Sequence, residues 1–184
     1  MINLNDYFGQ YQKILETKDY VMNLEKLLSK LRAQKEKKGR LLVFGNGASA
    51  SIASHAALDF TKQGKLETLC FHDPALITAY ANDYGYENAF KEIITSYSRP
   101  TDILIFISVS GESQNLINAA RRAKEIGLMT VGFTGRFFDN TLNKLVDHSF
   151  WVDSHAYNIV ENMHSIWLTS LIDCLVGKAV YEVK

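Results

Sequence analysis

Apolar positions follow two different spacings along this chain. Five runs of five to eight residues are rich in apolar side chains, as expected of parallel strands that helices cover on both faces. These runs are residues 40–44, 67–71, 102–109, 129–134 and 148–152. Helical spacing fills most of the sequence between and after them, at residues 49–64, 75–80, 86–97, 116–126 and 157–180. This alternation predicts an α/β fold, a three-layer α/β/α sandwich around a five-stranded parallel sheet.

The first 38 residues have a pattern of their own. Helical spacing extends from Leu4 to about Lys38, with a break near residues 17–19, and Gly39 is a typical helix end. The leucines at 24–31 form one apolar face, which needs cover from the same domain or from a sister subunit. A length of 184 residues favours one domain. We therefore interpret residues 1–184 as a single domain in which residues 1–38 are a helical oligomerisation segment.

The charge balance argues against several kinds of partner. Twenty basic and twenty acidic residues cancel, and the pI is near 7.0, so neither nucleic acid nor a membrane surface is an expected partner. No apolar run approaches the roughly 20 residues of a membrane span, and the N-terminus lacks the pattern of a signal peptide. We expect a cytoplasmic protein whose two cysteines, Cys70 and Cys174, are buried and reduced. Any anion that it binds must be small and held locally.

One such anion site is predicted at residues 108–113. Ser108, Ser110 and Ser113 surround Gly111 where an apolar run ends and a helical pattern begins. Backbone N–H groups at a helix N-terminus are unpaired and partly positive, so they hold phosphate well, and serine hydroxyls can complete the shell. Ordinary helix capping by Ser113 is the alternative. Three hydroxyls around one glycine favour a phosphate site.

A second polar loop follows the first apolar run. The segment Gly45-Asn46-Gly47-Ala48-Ser49 is neither a dinucleotide-binding nor a Walker fingerprint, because it lacks the third glycine and the Gly-Lys pair. Ligands of open parallel sheets bind at the carboxyl ends of strands, so both loops are expected to face one crevice. Two polar loops at one edge favour a phosphorylated small molecule over a dinucleotide.

Two further pairs of polar residues have helical spacing. His55 and Asp59 are four residues apart, and Glu161 and His164 are three apart, so each pair shares a helix face. Such pairs can ligate a metal or transfer protons. Taken singly, such a pair is more often a surface or structural hydrogen-bonding pair.

Several segments, taken together, resemble the SIS (sugar isomerase) domain family, and within it the phosphoheptose isomerases. The matching segments are GNGASASIASHAALDF, TAYANDYGYENAF, ISVSGESQNLINAARRAKEIG and the ENMH of the last helix, in the family's order and spacing. The resemblance implies that the sugar is lined by Asn46, Gly47, Ala48, Ser49, Asn82 and Asp83, and that the phosphate is held by Ser108, Ser110 and Ser113.

The resemblance also implies a zinc site and an acid/base pair. The family builds them from a His and a Glu on the helix after the glycine loop, and from a Gln and a His on the last helix. His55 matches the first His, whereas the other three positions hold Asp59, Glu161 and Thr169. Zinc is therefore a possible cofactor, with His55, Asp59 and Glu161 as its ligands, and the expected catalytic residues are Asp59, Glu161 and His164.

The predicted function is a phosphosugar aldose–ketose isomerase that converts sedoheptulose 7-phosphate to a heptose 7-phosphate for a surface polysaccharide. The resemblance and the N-terminal leucine face together predict a homo-oligomer, a tetramer. The alternative is a non-catalytic sugar-phosphate sensor or an adaptor like the replication-initiator-associating protein, which the loss of the His at Thr169 favours. A third possibility is an isomerase that acts on a different sugar phosphate, which is consistent with two further departures, Val109 for a Thr and Asn158 for an Asp.

Overall fold

The computed structural model describes residues 2–17 and 19–181. Five strands form its sheet: β1 Leu41–Gly45, β2 Thr68–Cys70, β3 Ile103–Ser108, β4 Met129–Thr134 and β5 His148–Trp151. The helices are α1 Leu4–Glu16, α2 Asp19–Glu36, α3 Ala48–Lys62, α4 Pro74–Tyr84, α5 Tyr86–Tyr97, α6 Gln114–Glu125, α7 Thr141–Leu145 and α8 Tyr157–Val176. The predicted α/β sandwich is confirmed.

The sheet order places the two polar loops side by side. All strands are parallel in the order β2-β1-β3-β4-β5, so β1 and β3 are neighbours. Their register pairs Leu42 with Leu104 and Gly45 with Ile107. Both strands therefore end at the same edge of the sheet. The loop of residues 45–49 (the glycine loop) and the loop of residues 108–113 (the serine loop) begin from adjacent positions there.

Each face of the sheet has its own apolar core. Side chains alternate along β3, so Ile103, Ile105 and Ile107 pack on one side, and Leu104 and Phe106 on the other. On the first side they meet side chains of α2, α3 and α8, and on the other side those of α5 and α6. Burial on both faces explains why the strands are continuous apolar runs.

The structure changes several predicted boundaries. The break in the N-terminal helical pattern is confirmed at Thr17, while Lys18 lies outside the described residues. Helix α8 ends at Val176 instead of residue 180, because Gly177 adopts a left-handed conformation with φ of +85°. Helix α7, five residues long, was not predicted at all. A helix this short gives too few residues for apolar periodicity to be recognised.

The N-terminal helices differ in how they pack. Leu27, Leu28 and Leu31 of α2 are buried in the same core as α8, so the chain covers much of the predicted leucine face itself. Helix α1 has no buried residue. Both cysteines are free, but Cys70 is only partly buried and Cys174 is exposed, which corrects the prediction that both are buried. In the part of the chain that the structure describes, no helix is both long and apolar enough to cross a membrane.

Candidate functional site

A cavity of about 130 Å³ lies between the two polar loops at the carboxyl edge of the sheet. Its lining residues are Asn46, Ser49, Ile107, Ser108, Val109, Ser110, Ser113, Tyr157 and Glu161. They come from the ends of β1 and β3 and from the first turns of α3 and α8. The structure thus brings together six of the predicted site residues, namely Asn46, Ser49, Ser108, Ser110, Ser113 and Glu161.

The serine loop is held in shape by its own hydroxyls. Ser108 Oγ accepts from Gly111 N at 3.1 Å, and Ser110 Oγ accepts from Glu112 N at 3.2 Å. Gly111 has a φ of +66°, and a Cβ there would lie 2.0 Å from the side chain of Asn140, so only glycine fits this turn. Ser113 precedes α6 but forms no side-chain cap, and its Oγ lies 3.4 Å from Ser108 Oγ. The alternative interpretation, in which the Ser113 hydroxyl caps the helix, is therefore wrong.

The glycine loop is fixed by a network that the sequence did not reveal. Asn46 and Asn115 exchange two amide hydrogen bonds, both of 2.9 Å, and Tyr86 OH donates to Asn46 Oδ1 at 2.9 Å. Asn115 is buried in the first turn of α6. The sequence did carry one signal of this network. Asn115 falls on the apolar face of a strongly amphipathic helix, and a buried amide there needs a hydrogen-bond partner.

The cavity has no positively charged side chain in its lining. None of its nine lining residues is Lys, Arg or His. Positive potential comes instead from the starts of α3 and α8, both of which lack a side-chain cap and leave N–H groups unpaired. Burial raises the pKa of Glu161, the only carboxylic acid in the lining. A glutamate in this state is suited to exchanging protons with a bound sugar.

The residues that the resemblance assigns to zinc are not gathered in one place. His55 Nε2 lies 3.1 Å from Asp59 Oδ2 on the exposed side of α3, and neither residue lines the cavity. Thr169 donates its hydroxyl to Ser165 O within α8 at 2.8 Å. Among residues 2–17 and 19–181, no group of three His, Cys, Asp or Glu side chains is placed to hold a metal. The predicted set of His55, Asp59 and Glu161 therefore does not fit a zinc ion within one chain.

His164 is a correction to the predicted catalytic set. Its side chain is fully buried, and Nε2 donates to Thr134 O over 3.0 Å, at the end of β4. Its ring packs near Phe133 and Trp167, and burial lowers its pKa to about 4. A neutral histidine enclosed in the core cannot reach a ligand, so its role is structural.

Five other predicted sugar-binding or catalytic residues lie outside the cavity. Asn82 and Asp83 are exposed near the end of α4, where Asn82 Nδ2 donates to Asp83 Oδ1 at 3.0 Å. Ala48 is the exposed first residue of α3, and Asp59 lies three turns further along that helix. Gly47 has a φ of +55° and lines a neighbouring cavity together with Asn46 and Tyr86. The resemblance assigned these residues to the site, whereas none of them lines this cavity in the structure.

Comparison with known proteins identifies relatives of the whole chain. Residues 6–135 match the model of the SIS domain family. The phosphoheptose isomerase of Helicobacter pylori is 36% identical over 146 residues, which are 76% of each chain. Phosphoheptose isomerase 1 of Campylobacter jejuni is 32% identical over 179 residues, covering 93% of this chain and 96% of its own. The structure of a phosphoheptose isomerase from Neisseria gonorrhoeae superposes with a TM-score of 0.85 at 26% identity, covering 94% and 97% of the two chains.

Proposed function

Because the chain belongs to the SIS domain family, and within it to the phosphoheptose isomerases, we propose that it interconverts a ketose phosphate and an aldose phosphate, with sedoheptulose 7-phosphate as substrate. The observation that best supports this proposal is one cavity that combines the three serines of residues 108–113 with one partly buried carboxylic acid, Glu161. The serine hydroxyls can bind the phosphate, and the carboxylic acid can transfer protons to and from the reacting carbons.

The phosphate end of the substrate is assigned to the serine loop. Ser108, Ser110 and Ser113 present hydroxyls to the cavity, and the uncapped helix starts supply backbone N–H groups. Asn46, held by Asn115 and Tyr86, and Ser49 are placed to bind sugar hydroxyls. Remote binding of this kind fixes the reacting carbons relative to the carboxylate.

Glu161 is assigned as the base. Isomerisation of a ketose begins when a base removes a proton from C1 and the carbonyl oxygen on C2 gains one, which gives an enediol. The base then returns a proton to C2, and the oxygen on C1 becomes the aldehyde. Glu161 is the one carboxylic acid of the cavity, whereas Asp59 is paired with His55 outside it. No step of this scheme uses a metal.

Steady-state turnover of sedoheptulose 7-phosphate by the purified protein tests the proposal. We expect formation of an aldoheptose phosphate that neither added zinc nor a chelator changes by more than about threefold. Absence of turnover under all of these conditions would refute the assignment of an isomerase.

We also propose that the protein is a homotetramer. Helix α1 presents Leu4 and Phe8 with 74% and 63% of their surfaces exposed, and α2 presents Met22 with 56% exposed. An apolar stripe on helices that flank the core is typical of a subunit interface. Light scattering at micromolar concentration is expected to give about four times the 20.8 kDa chain mass, and less after Phe8→Glu. A monomer in the unsubstituted protein would contradict this.

A further inference from the structure

The isomerase chemistry needs a proton donor as well as a base. As the base takes a proton from carbon, the adjacent carbonyl oxygen must gain one, or its developing negative charge must be stabilised. The position at which the family has a second histidine is Thr169 here, and a threonine hydroxyl does not titrate near neutral pH. Thr169 also donates within its own helix and does not line the cavity.

Two of the nine cavity residues have side chains with an acidic proton that can be exchanged with a substrate. They are Glu161 and Tyr157, since the other seven are serines, one asparagine and aliphatic residues. Tyr157 and Glu161 are four residues apart on α8, so their side chains lie on one helix face about one turn apart. This spacing suits an acid and a base that act on adjacent atoms.

The hydroxyl of Tyr157 is free for this role. The Tyr157 side chain is 54% exposed at the cavity, and its hydroxyl has no hydrogen-bond partner among the described residues. The other tyrosine near the loops, Tyr86, already donates its hydroxyl hydrogen to Asn46. Tyr157 is also the first residue of α8, where the start of the helix carries partial positive charge.

We propose that Tyr157 is the general acid of the reaction, a role that rests on the isomerase function proposed above. The phenol transfers its proton to the carbonyl oxygen on C2 while the base takes the proton from C1. The tyrosinate then recovers a proton from the hydroxyl on C1 as the base returns one to C2. Two protons are transferred in each direction, and the sequence needs no oxidant, reductant or metal.

The test compares Tyr157→Phe with a matched variant, Tyr97→Phe, whose half-exposed tyrosine lies at the end of α5 away from the cavity. Tyr157→Phe is expected to lower kcat by about 100-fold or more, the usual contribution of a general acid. KM and the inhibition constant of inorganic phosphate should stay within about threefold, because the phosphate contacts are retained. Tyr97→Phe should keep the unsubstituted kcat.

Three outcomes would overturn the inference. A kcat for Tyr157→Phe within about threefold of the unsubstituted protein would show that the phenol is dispensable. Equal losses of kcat and of inorganic phosphate binding, or a lowered thermal midpoint, would show a structural role instead. Inactivity of the unsubstituted protein would refute the isomerase function and this inference together, whereas the first two outcomes leave the function intact.

Discussion

Glu161 is the residue whose protonation decides whether the proposed reaction proceeds. It lines the phosphate cavity, and partial burial there disfavours its charged form, so its pKa lies above the ordinary value of 4.5. A base must be unprotonated to act. The same carboxyl becomes inactive as the pH falls through its pKa, and it does so at a higher pH than an exposed glutamate would.

The acidic limb of the pH–rate profile tests this property of Glu161. We expect kcat/KM to fall on acidification with a midpoint above 4.5, because burial raises the pKa of the free enzyme's base. Glu161→Gln should lower kcat by at least about 100-fold. Glu92→Gln, a substitution on α5 outside the cavity, is the control and should leave the profile unchanged. A kcat/KM that does not change along the acidic limb would contradict the assignment of Glu161 as the base.

Ser113 allows a separate test of the phosphate cradle. Its hydroxyl forms no helix cap, so removing it should not weaken α6. A hydrogen bond to a charged group contributes about 1.5–3 kcal/mol, so Ser113→Ala should raise the Kd for the sugar phosphate by about 10- to 100-fold. Ser29→Ala on the exposed side of α2 is the matched control. Titration calorimetry measures both, and an unchanged Kd for Ser113→Ala would place the phosphate elsewhere.

At the scale of elements, the site depends on how α8 is fixed against the sheet. His164 contributes through its hydrogen bond to Thr134 O, which joins the middle of α8 to the end of β4. Its Nε2 carries the hydrogen and its buried Nδ1 has no partner among the described residues, so the folded protein holds the neutral ring. In the unfolded chain the ring of His164 is in water and can be protonated. This side chain therefore makes the stability of the folded protein depend on pH.

The direction of that dependence follows from the pKa of His164, which burial lowers from 6.5 to about 4. Between these values the unfolded state binds a proton that the folded state does not, so stability falls as the pH drops below 6.5. The loss approaches roughly 3 kcal/mol below pH 4, at 1.36 kcal/mol per pKa unit. His164→Gln should flatten the fall in unfolding free energy between pH 7.5 and 5, measured in urea, relative to exposed His155→Gln. An equal slope in both variants would contradict this.

The sequence predicted the helices and strands better than it predicted which of their side chains are buried in the core and which line the cavity. Strand positions and the serine loop follow from local composition, because a parallel strand must be apolar throughout and a phosphate loop needs glycine and hydroxyls together. Helical spacing could not separate Glu161, which lines the cavity, from His164, which is enclosed in the core. The two residues share a helix, and only its tertiary packing sets which of them is enclosed. The partnership of Asn46 with Asn115 is equally non-local, since it joins the loop after β1 to the first turn of α6.

At the scale of the whole molecule, the proposed anion site belongs to a protein that is not basic. Its net charge is zero, and the cavity has no positive side chain among its described lining residues. Parallel strands end at one edge, and the helices that follow them begin there, so their N-termini converge on the cavity. The topology itself supplies the potential, and side chains supply the selectivity and the proton transfers.

The most direct measurement is proton nuclear magnetic resonance of sedoheptulose 7-phosphate incubated in D₂O with the purified protein. The proton that Glu161 removes from the substrate exchanges with solvent in the proposed reaction. Aldoheptose phosphate should therefore accumulate with deuterium at C2. Glu161→Gln should slow both the formation of the aldose and the incorporation of deuterium by at least about 100-fold. Binding of the sugar phosphate without any aldose or deuterium would contradict the central claim. It would show that the protein holds a phosphosugar but does not isomerise it.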